Sequence, residues 1–237
     1  AREGMVLLRN EGGVLPLQGN TVLNCFGIGQ HQYRITPTGA SIINPRWKPT
    51  FMEAVADHSD FTVNGELAEF YQNGMAGAPD REMLALAKAR SETAIIFITR
   101  HSGEMQDNRP IKGQYYLSDN ERDMIAAVSK AFGKTVAILN TGYPIDMRWT
   151  EEFCISSIIC TGFAGMLSAY ALVEMLDGRT NPSAKLPDTW PWDYHDNIAS
   201  RNQPTLGEGE KTPGDADLGV RICYEENIFV GYRYFDT

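Results

Sequence analysis

Apolar residues along the chain fall into short unbroken runs that alternate with stretches of helical spacing. Thr21–Ile28 (TVLNCFGI), Ala94–Thr99 (AIIFIT), Thr135–Asn140 (TVAILN) and Ile155–Cys160 (ISSIIC) are too short for helices, and they read as strands buried on both faces. Between them, Pro49–His58 and Gly65–Asn73 read as helices around a short strand, Phe61–Val63. Asp80 caps a helix over Met83–Ser91, with Met83, Leu84, Leu86 and Ala87 on its buried side. Ser118 and Glu121 form a capping box that opens Asp119–Phe132, and Leu167–Leu176 is stopped by Gly178. Ala1–Asn10 reads as a short helix carrying Met5, Val6 and Leu8, closed by Gly12-Gly13. Strands alternating with helices predict an α/β fold: a three-layer sandwich whose mostly parallel sheet of about six strands is covered by helices on both faces.

From Leu186 the pattern changes. Trp190-Pro191-Trp192 and the run Asn202–Gly219 are rich in Pro, Gly and acids, which suits an extended excursion, and Tyr224–Phe235 reads as a closing aromatic strand or arm. Residues 1–187 are therefore expected to form the sandwich core, with 188–237 packed on the same domain.

The polar positions mark one loop above the others. Arg100-His101-Ser102-Gly103-Glu104 follows the apolar run at Ala94–Thr99, at the carboxyl end of a strand, where open α/β sheets hold their ligands. Arg100, His101 and Ser102 are candidate binding residues there. Glu104 has a glycine before it that lets the backbone turn, and Asp107, Arg109 and Lys112 after it. A glutamate so presented can exchange a proton with a ligand, or it can be a solvated loop residue. The loop Gln30–Lys48 is long, and long loops are more often functional than idle.

Composition removes several classes of function. The 237 residues carry a formal net charge of −9, which offers no basic footprint for nucleic acid. No apolar run approaches the roughly 18 residues of a membrane span. Cys25 and Cys160 lie inside apolar runs, Cys154 just before one and Cys223 near the end, without metal-ligand spacing; core thiols suit a reducing, cytoplasmic setting. His31 and His101 read as polar loop histidines, and no metal or cofactor is expected. Gly27-Ile28-Gly29 lacks the third glycine of a dinucleotide fingerprint. The chain opens at Ala1 without an initiator methionine or an apolar leader, which suits a processed or excised piece.

Several motifs occur in a telling order: Arg2–Leu17 (REGMVLLRNEGGVLPL), Arg100–Arg109 (RHSGEMQDNR), Lys112–Ser118 (KGQYYLS), Ala137–Gly142 (AILNTG), Gly178–Pro187 (GRTNPSAKLP) and Val230–Tyr234 (VGYRY). Together they resemble the second domain of family 3 glycoside hydrolases, in particular β-glucosidases. The resemblance implies an α/β sandwich packed against a (β/α)8 barrel that carries an aspartate nucleophile. It also implies that Glu104, in the Ser102-Gly103-Glu104 turn, is the general acid/base of a retaining hydrolase acting on terminal non-reducing β-D-glucosyl groups. A family serine that closes the sugar subsite falls on Ala40 within Thr38-Gly39-Ala40-Ser41, so Ser41 is the candidate to replace it. A barrel needs about 250 residues of its own, so it would have to be supplied in cis or in trans, and the isolated chain is expected to be inactive. Two other readings stay open: a carbohydrate-binding or interaction module derived from such a domain, and a β-xylosidase-type hydrolase.

Overall fold

The computed structural model describes residues 1–202, apart from 105 and 107, and residues 225–236. In chain order the elements are a 3-10 turn at Arg2–Gly4, β1 (Val6–Asn10), β2 (Val22–Phe26), α1 (Phe51–His58), β3 (Thr62–Val63), α2 (Gly65–Gln72), α3 (Arg81–Arg90), β4 (Thr93–Thr99), α4 (Asp119–Ala131), β5 (Lys134–Asn140), α5 (Arg148–Glu152), β6 (Ser157–Cys160), α6 (Ser168–Leu176), α7 (Ile198–Asn202) and α8 (Tyr232–Phe235). Six strands form one sheet in the order β1-β6-β5-β4-β2-β3, parallel except for the antiparallel edge strand β1.

Alternate residues of the central strands feed two cores. On one face Cys25, Ile95, Phe97, Val136 and Ile138 pack with Phe51, Ala54 and Val55 of α1 and Leu172, Val173 and Leu176 of α6. On the other, Phe26, Ile96, Ile98, Ala137 and Leu139 meet Leu67 and Tyr71 of α2, Leu84 and Ala87 of α3, and Met124, Ile125 and Val128 of α4. Every residue of β4 but the last is buried, as the unbroken apolar run requires.

Three expectations are corrected. Ala1–Asn10 is not a helix: after the 3-10 turn, Val6–Asn10 pairs with Ser157–Cys160, and this distant ladder overrides the local spacing. On α3 only Leu84 and Ala87 are buried, while Leu86 is 53% exposed. Over the described residues 225–236 the aromatic close is turns and the short helix α8, not a strand. Asp107, positions 203–219 of the acidic run, Cys223 and Tyr224 lie outside the described residues.

Candidate active site

The order of strand connection reverses between β2 and β4. The chain leaves β2 to make β3 on one side and then returns to lay β4 on the other, so the carboxyl ends of β2 and β4 flank the point of reversal. That is where a doubly wound sheet opens a crevice. A cavity of about 440 Å³ lies there, lined by residues that include Gly27, Arg34, Thr99, Arg100, His101 and Glu121. Gly27 and Gly29 serve close packing: a Cβ at either position would come within 2.6–2.7 Å of Phe97 on β4.

Arg100 begins the loop after β4 and turns inward. Its side chain is 3% exposed. Nη1 and Nη2 donate to the two carboxylate oxygens of Glu121 at 2.6 and 3.0 Å. Nε donates to the Gln114 carbonyl at 2.7 Å, and Nη1 also donates to the Thr99 carbonyl at 2.9 Å. Glu121 in turn accepts from the Ser118 amide and hydroxyl at 2.8 and 3.0 Å, completing the capping box of α4. All of these bonds are internal, so Arg100 fastens the returning segment 114–121 to the end of β4. This placement gives Arg100 a structural role at the root of the turn.

The next residues turn outward. His101 is exposed and meets the Arg34 guanidinium through Nε2. Partial burial, then the charge of Arg34, pushes the His101 imidazole below its ordinary value, so the neutral ring accepts from Arg34. Ser102 accepts from Thr38 twice through its carbonyl, from the amide at 2.9 Å and from the hydroxyl at 3.1 Å. Gly103 lies so close to Thr38 that a Cβ there would overlap the Thr38 hydroxyl and carbonyl. Only glycine permits this approach.

Glu104 follows, exposed at the tip of the turn. Its Oε2 accepts from the Ala40 amide at 3.0 Å. Gly39, with φ of +80°, sits beneath the carboxylate, and a Cβ there would come within 2.8 Å of Glu104 Cβ. Ala40 therefore meets Glu104 through its backbone, which its side chain does not alter. Ser41 is exposed and donates through Oγ to the Thr38 carbonyl at 3.3 Å. The segment after β2 thus forms a strap against the Glu104 turn.

Residues 5–232 match the family described as glycosyl hydrolase family 3 C-terminal domain. The chain belongs to that family. A β-glucosidase of Ruminococcus albus is 33% identical to it over 99% of this chain and 25% of the relative's length. Among solved structures, β-glucosidase 3B of Thermotoga neapolitana in complex with glucose superposes with a TM-score of 0.84 at 33% identity, over 98% of this chain and 34% of that one. A β-glucosidase from Paenibacillus barengoltzii gives 0.87 at 28% identity, over 100% of this chain and 27% of that one. This family 3 domain thus spans a quarter to a third of the length of these relatives.

Within the domain, the strap around Glu104 carries residues that sequence reasoning passed over. Thr38 and Arg34 sit in the loop noted for its length and for Ala40 and Ser41, and neither was itself singled out. Asn140 was read as the end of an apolar run, although an amide closing a buried strand is itself a signal, because a buried amide must find partners. His31, read as a polar loop histidine, meets the Ala68 carbonyl through Nε2 at 2.7 Å. Among the described residues no cluster of three or more His, Cys, Asp or Glu could hold a metal ion, and no helix is long and apolar enough to cross a membrane.

Proposed function

We propose that this domain supplies the general acid/base of a retaining β-glucosidase, with Glu104 as that residue and a (β/α)8 barrel supplying the aspartate nucleophile. The observation that carries the proposal is the presentation of Glu104. An exposed carboxylate stands at the carboxyl end of β4, on a turn that Thr38 and Gly103 lock together, with one oxygen held by the Ala40 amide. A fixed carboxyl with its second oxygen available is what proton transfer to a glycosidic oxygen requires. The likeness to β-glucosidases supports a β-glucoside as the substrate class.

In the first step the barrel aspartate attacks the anomeric carbon while Glu104 protonates the departing oxygen. In the second, Glu104 takes a proton from water as that water attacks the glycosyl-enzyme, with the two carboxyl groups about 5–5.5 Å apart. Ser102, His101 and Ser41 surround the turn as the candidate sugar contacts. Without a barrel there is no nucleophile, so the domain alone is expected to hydrolyse nothing.

Replacing Glu104 by Ala in the full-length enzyme tests the assignment. Loss of a general acid lowers kcat/KM by about 10²–10⁴ for an alkyl β-glucoside and little for a 2,4-dinitrophenyl β-glucoside, whose leaving group needs no proton. The competing reading, a carbohydrate-binding module without catalysis, is favoured by Ala40 standing where the family serine is expected. It would be supported if Glu104→Ala altered neither substrate.

A further inference from the structure

The Glu104 turn is held from one side by the strap, and the strap is held by a residue that touches neither Glu104 nor solvent. Asn140, the last residue of β5, is fully buried. Its Oδ1 accepts from the Arg34 amide at 2.6 Å, and its Nδ2 donates to the Arg34 carbonyl at 3.0 Å. This two-way bond reads the backbone of Arg34 regardless of its side chain. The same Nδ2 lies 2.8 Å from the Gly162 carbonyl and 3.2 Å from Thr161 Oγ1, in the segment after β6. The backbone carbonyl of Asn140 accepts from the Arg100 amide at 3.2 Å, at the root of the Glu104 turn. One residue of β5 therefore fixes the start of the strap and the start of the turn together.

We infer that Asn140 is a positioning residue for the Glu104 acid/base, acting through the strap that runs from Arg34 to Ala40. The inference rests on the function proposed above for Glu104. An apolar residue at position 140 would suit the burial but would take from the amide and carbonyl of Arg34 the partners that Asn140 supplies, and would leave the Gly162 carbonyl with the Thr161 hydroxyl alone among the described bonds. Arg34 would then be free to drift, and with it Thr38 and Ala40, which touch the turn directly. A shift of about 1 Å at a reacting group is worth on the order of a hundredfold in rate, so a modest drift is enough to be read kinetically.

The test uses two substitutions in the full-length enzyme, Asn140→Ser and Thr38→Val, with Glu104→Ala as reference. Asn140→Ser shortens the side chain so that it no longer reaches Arg34. Thr38→Val keeps the shape of the strap but removes its hydroxyl bond to the Ser102 carbonyl. The readout is kcat/KM for methyl β-glucoside against 2,4-dinitrophenyl β-glucoside. A merely structural role reduces the amount of active enzyme and lowers both substrates alike. A positioning role lowers the first by about tenfold or more and the second by less than about twofold, the pattern of a weakened general acid.

If Asn140→Ser does not fold, Thr38→Val still decides, because the coupling passes through Thr38. Equal losses on both substrates, or none, in the folded variants would overturn the inference, provided Glu104→Ala retains its selective loss. If Glu104→Ala itself shows no selective loss, the acid/base assignment fails instead.

Discussion

The placement of Arg100 makes a prediction that separates folding from binding. Its guanidinium is buried and bonded to both oxygens of Glu121 and to the carbonyls of Thr99 and Gln114, whereas Glu121 retains 18% exposure. Glu121→Gln keeps the shape and removes the charge, leaving a buried guanidinium without its counter-ion. Breaking a buried pair from one side costs about 3–5 kcal/mol, and the partial exposure of Glu121 puts the expectation at the lower end, about 3 kcal/mol. For a chain of this size that is a fall in Tm of about 6–12 °C. Arg100→Lys should lose a similar amount, since one ammonium cannot bridge two carboxylate oxygens and two carbonyls together. Calorimetric unfolding gives the stability, and KM for an aryl β-glucoside, measured well below the transition, gives the binding. Both variants should be less stable with KM little changed. The double substitution Arg100→Met with Glu121→Leu should lose less than the two singles summed, because neither charge is then left alone. A stable Arg100→Lys with Tm within about 1 °C of the parent and a raised KM would refute this, and would make Arg100 a sugar contact.

Three further outcomes are expected. Gly103→Ala should leave the fold intact but displace the Glu104 turn from Thr38, lowering kcat/KM for an alkyl β-glucoside at least about tenfold while circular dichroism stays unchanged. Glu174 on α6 accepts from Arg2, His58 and Thr180, and the Arg2 bond, chiefly, holds its carboxyl down at about 2. Its folded value lies below the ordinary 4.5, so the stability it contributes is complete above that value and lost as pH falls towards 2; Glu174→Gln should flatten the acid limb of a stability profile. His101 is likewise depressed, so its neutral form stabilises the fold above its ordinary value of 6.5 and that contribution fades as pH falls through the lowered value; Arg34→Ala should raise the His101 titration followed by NMR.

Much of the sheet was legible because its strands are apolar runs that only burial on both faces explains, and because the helix starts carry local chemistry. Asp80 accepts from the Met83 amide at 2.8 Å, and Ser118 with Glu121 closes a capping box, both as the sequence predicts. The edge strand was not legible. Val6–Asn10 becomes a strand by pairing with Ser157–Cys160, a contact across most of the chain that no local window contains. The site divides in the same way. A polar turn after β4 could be placed from the pattern alone, and the resemblance singled out Glu104 within it. What holds the turn could not be seen, because Arg34, Thr38 and Asn140 come from loops and strands far apart in sequence. The structural part of Arg100 was hidden for that reason: nothing local tells that Glu121 is folded back onto it.

The most direct test of the central claim is the product that the full-length Glu104→Ala enzyme makes from 2,4-dinitrophenyl β-glucoside in the presence of azide. If Glu104 is the acid/base of a retaining mechanism, the activated substrate still glycosylates the enzyme. Azide, which needs no general base, then restores turnover and yields β-glucosyl azide. Turnover indifferent to azide, or a product of inverted configuration, would contradict the account and leave this domain as a scaffold for chemistry performed elsewhere.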